Sequence, residues 1–138
     1  MTTGPDVPRG SLIGRFTLPT VTHAPRQARG RLTALLQDLG MDAELVTIAV
    51  LLTSELVTNA VLHGRGEPTI EVRASDGHVW VGIQDPDSRL PYTQPTDSGA
   101  LGGRGLQIVD ALAHTWGTTP ITGDGKSVWF TLPRQPEL

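Results

Sequence analysis

The 138 residues include no cysteine. Disulfide scaffolds, thiolate zinc sites and thiol catalysis are therefore excluded. There is no basic excess either: the formal net charge is −3. Nucleic acid is a poor candidate partner, because binding it requires a basic face. The four histidines (23, 63, 78 and 114) have no metal-ligand spacing. The start of the chain, MTTGPDVPRGS, lacks the apolar stretch of a signal peptide, so a cytoplasmic protein is expected. No internal repeat is visible. The length suits one domain with a core of its own.

Against these absences stands one very apolar stretch. Residues 45–62 approach the length of a membrane span, but Glu55 and Asn59 lie inside it. A charge at a bilayer centre costs about 2.5–3.5 kcal/mol even on the lenient insertion scale. A buried helix of a globular domain is the better reading. Asp42 caps it, it runs from about 43 to 63, and Gly64 ends it. It is apolar nearly all round, which predicts packing on more than one side.

The rest of the chain falls into order around that helix. Residues 1–11 read as a disordered segment. GRFTLP (14–19) alternates like an edge strand, and 24–39 read as a helix with Leu32, Leu35, Leu36 and Leu39 on one face, ended by Gly40. TIEVRA (69–74) and HVWVGIQD (78–85) are strands around the turn SDG. A long loop fills 86–105, and loops of that length in a small domain are usually functional or disordered. A third helix covers 106–113, and two more strands close the domain at 133, leaving 134–138 as a tail. Grouped helices with hairpin-linked strands predict an α+β two-layer sandwich, helices on one face of a mainly antiparallel mixed sheet.

Three pieces carry chemistry. In SELVTNAVLHG (54–64), Glu55, Asn59 and His63 recur every fourth residue and share one helix stripe. A carboxylate there needs a partner or a cavity. Asn59 offers a hard oxygen ligand of the kind magnesium accepts, with Glu55 beside it as a base. The plainer alternative pairs Glu55 with an arginine. In GALGGRGLQIV (99–109), Gly103 and Gly105 precede a helix, where backbone N–H groups and the helix dipole favour a phosphate and Arg104 adds donors. A simple flexible cap explains the same residues. Asp85 ends a strand and can accept a bond from an exocyclic amine, or it can merely initiate the turn at Pro86. GDGKS (123–127) imitates the end of a Walker A loop, but position 120 is Pro and a strand follows, so it reads as a hairpin turn.

Together, in this order, the three blocks resemble the gyrase and histidine-kinase type of ATP-binding domain, the Bergerat fold, over about residues 12–133. Within it, SELVTNAVLHG, GRGLQIVDALAHTWG and GKSVWFTL are most similar to the anti-sigma-factor serine/threonine kinases and their stand-alone ATP-binding relatives. The resemblance implies ATP and Mg²⁺ as cofactors. It implies Glu55 as general base, Asn59 as the magnesium ligand and Asp85 as the reader of the adenine amine. Gly103, Arg104, Gly105 and Leu106 would wrap the phosphates, His63 would shape the pocket and Ser127 would stand near the adenine. It also implies an anti-anti-sigma (STAS-domain) protein as substrate, a sigma factor as second partner, and a homodimer.

One departure is visible. The family's second block commonly reads D-x-G-x-G, and DPDSR (85–89) has neither glycine. That favours an alternative: a non-catalytic or weakly nucleotide-binding interaction module of the same fold. A gyrase-class ATPase is a further rival, expected to need additional domains.

Overall fold

A computed structural model of the chain describes residues 10–18, 23–63, 67–85, 101–121 and 125–136, with the backbone alone at 62–63 and 101–105. The elements are β1 (Ser11–Thr17), α1 (Ala24–Asp38), α2 (Ala43–His63), β2 (Thr69–Ala74), β3 (His78–Asp85), α3 (Leu101–Leu112), β4 (Thr115–Pro120) and β5 (Lys126–Pro133). The strands form one sheet in the order β1-β2-β3-β5-β4. All four pairings are antiparallel, in keeping with the mainly antiparallel sheet that the sequence suggested. The α+β architecture with its helices against a sheet is as expected.

The core lies between the two layers. α1 contributes Ala28, Leu32 and Leu36, one turn apart on one face. α2 lies between α1 and α3 and also meets β3 and β5. That explains its all-round apolarity. Ala43–Val61 has the length and hydropathy of a membrane span. In this fold it is the central helix of the layer, with Ala49, Leu52 and Val57 fully buried. From the sheet come Ile70, Val72, Val79, Val81, Ile83, Val128, Phe130 and Leu132.

Local chemistry sets the helix ends. The Asp42 carboxylate accepts from the N–H groups of Glu44 (3.1 Å) and Leu45 (3.2 Å), the N-cap arrangement. α1 stops at Gly40, whose φ is +80°. The Gly40 N–H donates to Gln37 O and the Met41 N–H to Leu36 O, the two bonds of a Schellman closure. Nothing crowds Gly40, so only its left-handed backbone resists substitution. Gly40→Ala should cost about 1–2 kcal/mol, read as a shift in the urea midpoint with an unchanged slope.

At the same end of the molecule, Arg134 ties two turns together, the one between α1 and α2 and the one between β2 and β3. Its guanidinium donates to Ser75 O (2.9 Å) and Leu39 O (3.1 Å). Its backbone N–H donates to Gly77 O, and its carbonyl accepts from the Asp42 N–H. Arg134 thus belongs to the folded unit, although the sequence suggested a tail from 134. Ser11 likewise opens β1 instead of closing a disordered segment.

The face of the sheet turned away from the helices has its own cluster. The rings of Trp80 and Trp129 stack with centroids 6.3 Å apart, and the Trp129 Nε1–H donates to Thr119 Oγ1 (3.0 Å). A Cβ on Gly82 would fall 2.3 Å from the Trp80 ring, so the glycine makes room for the indole. Beside them Glu71 accepts from Arg15 (2.8 Å) and Arg73 (2.6 Å).

Candidate nucleotide-binding site

Strand register shows which residues share an end of the molecule. Thr69 pairs with Gln84, so β2 starts where β3 finishes. Only residues 64–68 separate α2 from β2, which puts the C-terminal end of α2 there too. Asp85 pairs with Lys126, so β5 also begins at this end. Thr115 pairs with Thr131 at the far end of the sheet, and α3 leads into β4 there, so α3 starts at the near end. The three sequence blocks thus converge on one end of the sheet.

Glu55 and Asn59 sit on α2 half-buried, open in part to solvent. The Glu55 carboxylate forms no hydrogen bond or ion pair with the described residues. Among the described residues the nearby Arg29 donates to Ser54 Oγ (3.0 Å) and not to Glu55. His63 is the last residue of α2; its side chain lies outside the described residues.

Asp85 is buried at the end of β3, on the face that carries Val79, Val81 and Ile83 toward the helices. Its Oδ2 lies 3.4 Å from Lys126 Nζ. Lys126, itself buried, was assigned to a turn by the sequence reading and was missed as a site residue. Ser127 follows Lys126 in β5. The resemblance put it near the adenine, but it pairs with Gln84 and its Oγ lies 3.0 Å from the Cβ that Gly82 would bear, among the residues of the opposite face. Alternation along a strand allows only one of the two neighbours to face the helices, and that one is Lys126.

α3 begins at Leu101, five residues before the expected start at 106. Gly103, Arg104 and Gly105 are consequently in its first turns and not in a loop ahead of it. Their side chains, and the second block from 86 to 100, lie outside the described residues. Leu106 is buried in the core, where it seats α3 beside α2. β4 and β5 pair as a hairpin through GDGKS, with Pro120 opposite Lys126; residues 123–124 of that string, and 122 before it, lie outside the described ones.

The donor set fits a nucleotide with magnesium. Among the described residues no three acidic or histidine side chains gather into a metal cage. One amide plus phosphate oxygens and water is a donor set magnesium accepts. A groove of about 390 Å³ between α1 and α2, lined by Gln37, Met41, Val46 and Val50 among others, lies at the opposite end and shares none of this chemistry.

Residues 18–132 match the family model described as the histidine kinase-like ATPase domain. The chain belongs to this family. Membership implies ATP as ligand. The chain is 38% identical over 90 residues to an uncharacterized protein of Streptomyces coelicolor, a stretch covering 62% of this chain and 85% of the relative. Its fold is similar to that in the crystal structure of the RsbU and RsbW domains of Rv1364c from Mycobacterium tuberculosis. The TM-score is 0.66 at 22% identity, over 86% of this chain and 31% of that one. This chain therefore spans about a third of that protein, and at such identity the likeness is one of fold.

Proposed function

We propose that this domain is an anti-sigma-factor-type regulator that binds Mg-ATP in the cytoplasm and phosphorylates a serine or threonine of a STAS-domain partner, while sequestering a sigma factor. The observation that carries the reading is Glu55. It is a carboxylate on the central helix, in part open to solvent and unengaged by the described residues, one turn from Asn59 and at the end where Asp85 closes β3. Asp85 would hold the adenine amine and Asn59 the magnesium, which supplies charge neutralisation across the phosphates when bound. The first turns of α3, with Gly103, Arg104 and Gly105, would face the phosphates, and His63 would border them. Phosphoryl transfer asks mainly for positioning and charge stabilisation. Glu55 then has one task, to accept the proton of the attacking hydroxyl. The sequence resemblance to anti-sigma kinases supports the partner classes and a dimer, and the RsbW-domain likeness supports the fold.

A second reading, a nucleotide-poor interaction module, is favoured by DPDSR and by the lysine already beside Asp85. Titration calorimetry with Mg-ATP separates the two. The first reading expects saturable binding that Asp85→Asn weakens by about tenfold or more, because the amide has one acceptor oxygen in place of two and loses the charge that strengthens the bond from the amine. Absence of any heat or thermal shift with Mg-ATP would favour the module.

A further inference from the structure

Asp85 and Lys126 raise a question that stability does not answer. Both are buried, and they sit directly opposite one another on neighbouring strands. Lysine is almost never fully buried unless paired. Yet a buried ion pair is seldom a gain, since desolvation offsets the attraction and apolar residues of similar volume do as well or better. Their separation of 3.4 Å is also long for a charge-assisted bond. Such a pair has more to offer as a recognition element than as a strut.

The backbone fixes where the two side chains start. A Cβ on Gly125 would fall 2.7 Å from Asp85 O, so β5 begins pressed against the end of β3. Both side chains point to the helix-facing side, as the period of two requires. The result is an acceptor next to a donor, 3.4 Å apart. A carboxylate accepts about four bonds and an ammonium donates three, so each can serve a base edge beside the contacts it already makes.

We infer that Lys126 is a base-reading residue that donates to N1 of adenine while Asp85 accepts from the neighbouring 6-amino group. This rests on the proposed ATP site. Adenine carries its amino donor next to the N1 acceptor on one ring edge, the complement of carboxylate next to ammonium. Guanine reverses that order, with a keto oxygen at C6 and a donor at N1. In the same pose it would set oxygen against carboxylate and N–H against ammonium. Lys126 thus makes the site select adenine over guanine.

Calorimetry on the whole chain tests this with ATP, 7-deaza-ATP, 1-deaza-ATP and GTP, each with magnesium. ATP and 7-deaza-ATP, which both keep N1, should bind alike. 1-deaza-ATP, with a C–H in place of N1, should bind about tenfold or more weakly, and GTP more weakly still. In Lys126→Met the gap between ATP and 1-deaza-ATP should close. Equal binding of ATP and 1-deaza-ATP by the unaltered protein, a gap that survives in Lys126→Met, or GTP binding tighter than ATP would each overturn the assignment. The unaltered protein decides the matter alone if Lys126→Met does not fold. Binding of ATP without N1 discrimination removes only the role of Lys126, whereas no binding of any of the four removes the ATP site with it.

Discussion

Glu55→Gln should reduce phosphoryl transfer by about 10²–10⁴-fold, the range that a positioned general base contributes. The amide keeps the size and most of the packing of the carboxylate but cannot accept the proton. Binding of Mg-ATP should change little, because Asp85 and Asn59 are untouched. Transfer of labelled phosphate to a STAS-domain protein gives the rate, and calorimetry on the same preparation gives the affinity. A near-normal rate would remove Glu55 from the chemistry. A lost affinity with an unchanged rate at saturation would make it a nucleotide contact. The half-open position of Glu55 on α2 would allow an incoming hydroxyl to reach it.

Trp129→Ala should destabilise the fold by about 3–5 kcal/mol, the usual range for removing a large buried aromatic. The melting temperature should drop by on the order of 10 °C or more. Trp129 is 1% exposed although it projects from the face without helices. Its loss removes the stack on Trp80 and leaves Thr119 Oγ1 without its indole partner. Trp129→Phe should retain most of the stability and lose only the hydrogen bond and part of the area. Chemical denaturation of the three proteins checks the order. A cost below about 1 kcal/mol for the alanine variant would mean that the two indoles do not act as a second core.

Much of this fold can be read directly from residue pattern. The limits of α2, β2 and β3 agree with the sequence reading because their signals are local: Asp42 at the cap, strict strand composition, and the turn SDG. The start of α3 escaped because Gly102, Gly103 and Gly105 are poor helix formers by propensity. Packing against α2 overrides that preference. The second cluster was foreshadowed by VWVGI and SVWF, which do not alternate and so suit strands buried on both faces.

The candidate site was legible in part. Glu55 and Asn59 follow from helix periodicity, and Asp85 from its place at a strand end. Lys126 and Ser127 did not follow, for one physical reason. Which of two adjacent residues faces the helices depends on the pairing of β5 with β3, strands more than forty residues apart in the chain. A slip of one position exchanges the faces, and nothing local in GKSVW reports that register.

Arg134 sets a practical boundary for anyone shortening this protein. Removing the chain after Pro133 would orphan the carbonyls of Leu39, Ser75 and Gly77 and the amide of Asp42 in a single cut. The Asp42 amide opens the segment from which α2 grows, so the damage would be passed to the helix that bears Glu55, a full sheet-length away.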